Sequence, residues 1–177
     1  MRASKTLALP ILAMLLTPLT TGCLITDPID IPEDVNYPPS IVSDTAAPEP
    51  RYPIEEIVTL DRDVDESLTF AVIVRDPNFD DDLDYEVYLN FDPDAPLTLV
   101  DFGKVEVTES LERPLAFTVN NLALFPRGQC HKLELRVSED FEGGGTPTVP
   151  GDIDIAVWWI NSLSEDGTPT DLATCPD

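Results

Sequence analysis

The sequence is poor in the residues from which most catalytic and metal centres are built. It has one histidine and three cysteines in 177 residues, which leaves little material for a Cys/His zinc site or a histidine-dependent triad. Positive charge is equally scarce: 10 Lys and Arg stand against 34 Asp and Glu, a net charge of −24. A polyanion of that density is repelled by DNA, RNA and anionic headgroups, so nucleic acid is excluded as a partner. No Gly-x-Ser-x-Gly is present, and Gly143-Gly144-Gly145 falls between strand-like runs rather than before a helix, so it reads as a loop and not as a phosphate cradle. Nor does any stretch after residue 22 show a helical stripe. What remains is 42% hydrophobic, enough for a real core.

Charge is also unevenly placed. No acidic residue precedes Cys23, whereas Arg2 and Lys5 do, so the chain from Cys23 onward has 8 basic and 34 acidic side chains, a charge of −26. Residues 1–22 read as a signal peptide, with Arg2 and Lys5 as the charged start and Leu7 to Leu16 as the apolar stretch, interrupted only by Pro10. That stretch is well short of the roughly 20 apolar residues of a permanent span. It ends in Leu19-Thr20-Thr21-Gly22-Cys23, which resembles the lipobox of bacterial lipoproteins: small residues at −1 and −2, then a cysteine whose thiol takes the lipid. Thr20 departs from the leucine that family prefers at −3. The resemblance implies lipidation at Cys23 and a membrane partner reached through acyl chains, since several chains hold a protein where one is marginal. Leu24 follows. With no aspartate there, the expected address is the outer membrane.

An odd cysteine in an exported chain needs an explanation. Assigning Cys23 to lipid leaves Cys130 and Cys175 either as a pair, the expectation in an oxidising compartment, or as two separate thiols. Residues 23–37 are acidic and turn-rich and read as a tether, and 38–177 as the folded domain. Ser40-Ile41-Val42 is either a first edge strand or more linker.

From Ile54 onward the pattern is all β, in runs of period 2 bounded by Pro, Gly or Asp. Ser67–Arg75 aligns Leu68, Phe70, Val72 and Val74. Asp84–Phe91 sets Tyr85, Val87 and Leu89 against Glu86, Tyr88 and Asn90. Asp101-Phe102-Gly103 reads as a turn between Leu97–Val100 and Lys104–Thr108. Pro114–Asn120 aligns Leu115, Phe117 and Val119, and Cys130–Ser138 aligns His131, Leu133, Leu135 and Val137. Asp152–Ser162 aligns Ile153, Ile155, Val157 and Trp159. The spacing predicts a single β-sandwich of about 7–9 strands.

Asn36-Tyr37-Pro38-Pro39, then Val72-Ile73-Val74-Arg75-Asp76, then Pro77-Asn78 and Asp80-Asp81-Asp82-Leu83-Asp84-Tyr85, looks like bacterial immunoglobulin-like and cadherin-like modules. About 50 residues are covered, and the Cys–Trp–Cys arrangement of true immunoglobulin domains is missing. The resemblance implies the fold, with adhesion or display as a common use.

Two features carry candidate chemistry. Asp76, Asn78 and Asp80 alternate, with Asp82 and Asp84 behind them, as oxygens for Ca²⁺ do. The helix–loop–helix calcium motif fails, because its sixth and twelfth positions are Asp81 and Val87 rather than Gly and Glu. The turn is either a Ca²⁺ site, the one cofactor the sequence admits, or a solvated hairpin. The hairpin is the expectation. A second group, Asp61, Asp63, Asp65 and Glu66, would extend it if the two met at one end of the sandwich. Trp158 is placed outward by the alternation that sends Trp159 inward. There it is either covered by the Cys175 tail or the Glu142-Gly143-Gly144-Gly145 loop, or open to a sugar or protein partner. His131 is expected to close a core-facing row through a backbone bond. The sequence thus predicts a non-catalytic binding or structural envelope lipoprotein. Its rivals are a calcium-stabilised adhesion module and a carbohydrate-binding module.

Overall fold

In the computed structural model, the described residues are 36–47, 52–78, 80–90, 92, 96–108, 110–171 and 175. The expected signal peptide, Cys23 and the expected tether up to residue 35 lie outside them. Two sheets face each other. One has the strand order β1 (Ser40–Ser43), β3 (Leu68–Arg75), β6 (Glu112–Val119). The other runs β2 (Ile57–Leu60), β10 (Asp154–Ser162), β7 (Gln129–Ser138), β4 (Leu83–Leu89), β5 (Thr98–Val105). A small hairpin of β8 (Phe141–Gly143) and β9 (Thr146–Pro147) stands apart. All pairings are antiparallel except β2 with β10. This is the immunoglobulin-like arrangement: the first strand pairs in one sheet, and the next segment crosses to run parallel to the last strand in the other. Asn36–Asp177 forms one compact unit, and Tyr37 is already tied to it, its N–H donating to Asn78 Oδ1 at 3.3 Å.

Alternation decides the core. Leu68, Phe70, Val72 and Val74 point inward, as do Leu115, Phe117 and Val119 from β6 and Leu133, Leu135 and Val137 from β7. Phe70 stacks on Phe117 with centroids 5.1 Å apart, and Trp158 meets Phe70 at 5.0 Å and Phe117 at 5.9 Å. These rings fill the centre that an inter-sheet disulfide occupies in antibody domains.

Three expectations are corrected. The alternation of β10 is the reverse of the one predicted: Ala156, Trp158 and Ile160 are buried, while Ile155 is exposed and Val157 and Trp159 are half-buried. Both sets are apolar, so periodicity could not choose between them. The ladder does, setting Ala156 opposite Leu135 and Trp158 opposite Leu133, both core residues. Asp101-Phe102-Gly103 is not a turn but the middle of β5. There Gly103 leaves room for the Tyr85 ring of the facing strand, which a Cβ would approach to 3.0 Å. Tyr88 is buried, not wet. The register shifts between Val87 and Tyr88, and the Tyr88 hydroxyl donates to Glu86 Oε2 at 2.6 Å, satisfying the polar tip.

Candidate functional site

The acidic turn between β3 and β4 is organised by a cation the sequence reading did not single out. Arg113, on β6, is fully buried at 0% exposure. Its guanidinium donates through Nη1 to the Asp81 carbonyl at 2.7 Å. Through Nη2 it donates to Asp76 Oδ2 at 3.3 Å and to the Asn78 carbonyl at 3.4 Å. Asp76 is itself only 2% exposed, and its Oδ1 accepts the Asn78 N–H at 2.9 Å, closing an Asx turn. Carbonyls and a carboxylate converging on one positive centre is the pattern a bound cation would impose; here the guanidinium supplies the charge.

The five residues predicted as Ca²⁺ ligands are accordingly not brought to a common point. Asp76 turns inward to Arg113, while Asp82 and Asp84 flank Lys104 Nζ at 3.7 and 3.3 Å on the surface. Asn78 presents its side-chain oxygen to Tyr37, and Asp80 is exposed. Among the described residues no group of three or more His, Cys, Asp or Glu is placed to hold a metal ion. The group of Asp61, Asp63, Asp65 and Glu66 does not join them. It precedes β3, whereas Asp76 follows it, so the length of the strand separates the two. Asp63 makes a bidentate pair with Arg127 at 2.6 and 2.9 Å.

Further carboxylates gather behind the turn. Burial, more than the favourable pull of the Asn78 N–H and Arg113, pushes the Asp76 carboxyl up. Glu139 is pushed up to about 7, first by burial, then by a hydrogen bond shared with Asp81, then by the charges of Asp152, Asp81 and Asp76. At neutral pH its carboxyl is therefore partly protonated. Asp152 Oδ2 accepts from Ser138 Oγ at 3.3 Å and from the Glu139 N–H at 3.1 Å, while its Oδ1 is buried with no partner among the described residues. Arg113 was legible in one respect: it continues the inward row of Leu115, Phe117 and Val119, so an arginine at that parity called for a buried anion. Glu139 and Asp152 had no such signal.

The other predicted residues fall as follows. Cys130 and Cys175 form a disulfide, with Cα atoms 4.7 Å apart. It ties the start of β7 to the tail beyond β10, and the loop it closes contributes ~4 kcal/mol in the chain-entropy account. Trp158 is 0% exposed, with its indole N–H donating to the Tyr52 carbonyl at 2.7 Å. Its burial removes it as a sugar platform or partner anchor. His131 is buried against Phe125 and lies 3.3 Å from the Pro126 carbonyl and 3.2 Å from Asn90 Nδ2, and burial lowers its pKa. Cys23 lies outside the described residues.

No protein-family model matches the chain, and no curated protein matches it.

Proposed function

We propose that this chain is an envelope lipoprotein, anchored in the outer membrane by acyl chains on Cys23, whose immunoglobulin-like sandwich serves a binding or structural role and no catalysis. The observation that carries this reading is the Cys130–Cys175 disulfide. It accounts for two of the three cysteines and leaves Cys23, at the end of the lipobox-like Leu19–Cys23 stretch, as the one outside the bridge. Disulfides persist in oxidising compartments, which fits export across the inner membrane. The non-catalytic reading is supported by how the carboxylates are used. Asp76 is committed to Arg113 and the Asn78 N–H, and Asp152 Oδ2 to Ser138 and the Glu139 N–H.

The test is fractionation of a Gram-negative host expressing the full chain. The account predicts that the protein sediments with outer membranes and partitions into detergent. Cys23→Ala moves it to the aqueous phase with the Cys130–Cys175 bridge intact on a non-reducing gel. Wild-type protein in the aqueous phase, or a Cys23→Ala variant that stays with membranes, contradicts it.

A further inference from the structure

Strand β5 is the outer edge of the five-stranded sheet and pairs only with β4 among the described residues. Edges are normally blunted by proline, charge or a covering element, because their free N–H and C=O groups recruit other chains. This edge has eight residues, Thr-Leu-Val-Asp-Phe-Gly-Lys-Val, with no proline, and it leaves Leu99 45% and Phe102 69% exposed. Its two charges are already engaged. Asp101 accepts the Tyr85 hydroxyl at 3.4 Å and the Phe102 N–H at 2.9 Å, and Lys104 is held between Asp82 and Asp84.

Beside this edge runs a groove of about 280 Å³, lined by Asp84, Glu86, Phe102, Lys104, Asp140 and Phe141 among others. Phe102 stands directly opposite Glu86 in the ladder and Lys104 opposite Asp84, so all four share one sheet face. The hairpin that begins at Phe141 supplies the other wall; Arg136 Nη1 holds it by donating to the Gly145 carbonyl at 2.9 Å. Glu86 is fixed by the Tyr88 hydroxyl at 2.6 Å. The groove therefore combines two phenylalanines with three carboxylates. Lys104 is engaged by Asp82 and Asp84, and Arg136, opposite Glu86 in the ladder, by Glu134 and the Gly145 carbonyl, which leaves Glu86 and Asp140 to meet an incoming cation.

We infer that this groove receives an arginine side chain from an extended segment of a partner protein, which adds to β5 as a further strand. Charge complementarity selects the occupant. A guanidinium can stack on the Phe102 ring and fork onto a carboxylate at once, which neither an ammonium nor an apolar side chain does. An anion meets the repulsion of a chain with net charge −24. A purely apolar group would desolvate the carboxylates without pairing them. The spacing also fits. Strands lie ~4.8 Å apart, so an arginine on the added strand lies across Phe102 and ends near Glu86, two spacings away. Backbone bonds to β5 provide affinity and register, and the arginine provides selectivity. The inference rests on the binding reading of the sandwich and is independent of the anchor at Cys23.

The probe is a blocked hexapeptide of alternating threonine and valine with one central arginine, titrated into the full chain in detergent micelles and followed by amide chemical shifts and calorimetry. The expected result is saturable binding, with shifts centred on β5 and the hairpin. A peptide with glutamate in place of arginine should bind at least about tenfold more weakly, a difference of ~1.4 kcal/mol. Phe102→Ala, at a largely exposed position, should weaken the arginine peptide by about three- to fivefold with the chemical shifts of the core unchanged, and Glu86→Gln should do the same. Equal affinity for the two peptides, shifts remote from β5, no binding, or self-association of the chain that Phe102→Ala abolishes would each overturn the inference. None of these results bears on whether Cys23 carries lipid.

Discussion

Replacing Arg113 by methionine keeps most of the side-chain volume and removes the only cation from the interior of the acidic turn among the described residues. The loss can be sized from the structure. Arg113 is fully buried and Asp76 nearly so, with Nη2 and Oδ2 3.3 Å apart, and the same guanidinium serves the carbonyls of Asp81 and Asn78. Breaking a buried pair by removing one partner costs ~3–5 kcal/mol, because the other charge is left without compensation. That is a large fraction of a typical domain stability of ~5–15 kcal/mol. Urea unfolding of the disulfide-intact protein, read by tryptophan fluorescence, measures it as a lower midpoint at unchanged slope. The cost has a signature in pH. Without Arg113, the pKa of Asp76 rises further above its unfolded value. An acid raised in the folded state is most stabilising when protonated, so the deficit shrinks toward pH 4 and grows as pH rises through the folded pKa. Asp76→Asn in the Arg113→Met background should recover part of the loss, giving a coupling of ~1–3 kcal/mol in the double-mutant cycle. A loss below ~1 kcal/mol, or one that is flat between pH 4 and pH 8, would refute the claim that the guanidinium organises this turn.

The remaining predictions follow from the same geometry. Because Glu139 is pushed up to about 7, its contribution is present below its unfolded pKa of about 4.3 and is lost as pH rises through 7. The wild-type melting temperature should therefore fall from pH 5 to pH 8, and Glu139→Gln should flatten that part of the profile. Addition of Ca²⁺ or of EDTA should leave the melting temperature of the purified protein unchanged, since the turn is already served by Arg113; a rise of several degrees with Ca²⁺ contradicts this. Cys130→Ser should cost ~4 kcal/mol by urea unfolding, and reduction of the wild type should do the same. Trp158→Ala should cost ~3–5 kcal/mol. In the wild type, the emission of Trp158 should be blue-shifted and inaccessible to iodide, with any quenching confined to half-buried Trp159.

Much of the fold was legible because its strands are amphipathic in a simple way. The runs at Leu68–Val74 and Leu115–Val119 place large apolar residues at every second position with Thr69, Ala71, Ala116 and Thr118 between them, Ile73 being the one large apolar exception, so one face is marked for burial. Where that contrast fails, so did the reading. Ile155 to Ile160 is apolar on both faces, and only the neighbouring strand, through Leu133 and Leu135, decides that Trp158 goes in. The turn inferred at Asp101-Phe102-Gly103 rested on turn-forming residue types, yet the glycine is there to clear the Tyr85 ring of the next strand. At the acidic turn, the spacing of Asp76, Asn78 and Asp80 displayed the anions but not their counterion. Arg113 is 37 residues further on in the chain than Asp76 and reaches it only when β6 pairs with β3 in the ladder. Glu139 and Asp152 come to the same end from β7 and β10 connections, by contacts with no local trace in the sequence.

The most direct measurement is the mass of the amino-terminal peptide of the protein isolated from membranes of a Gram-negative host. The account predicts that this peptide begins at Cys23 and carries diacylglycerol and acyl mass on that residue, with Cys130 and Cys175 recovered as one disulfide-linked pair. A peptide that retains residues 1–22, begins at another position, or begins at an unmodified Cys23 would contradict the anchor, and with it the proposed place of the sandwich in the envelope.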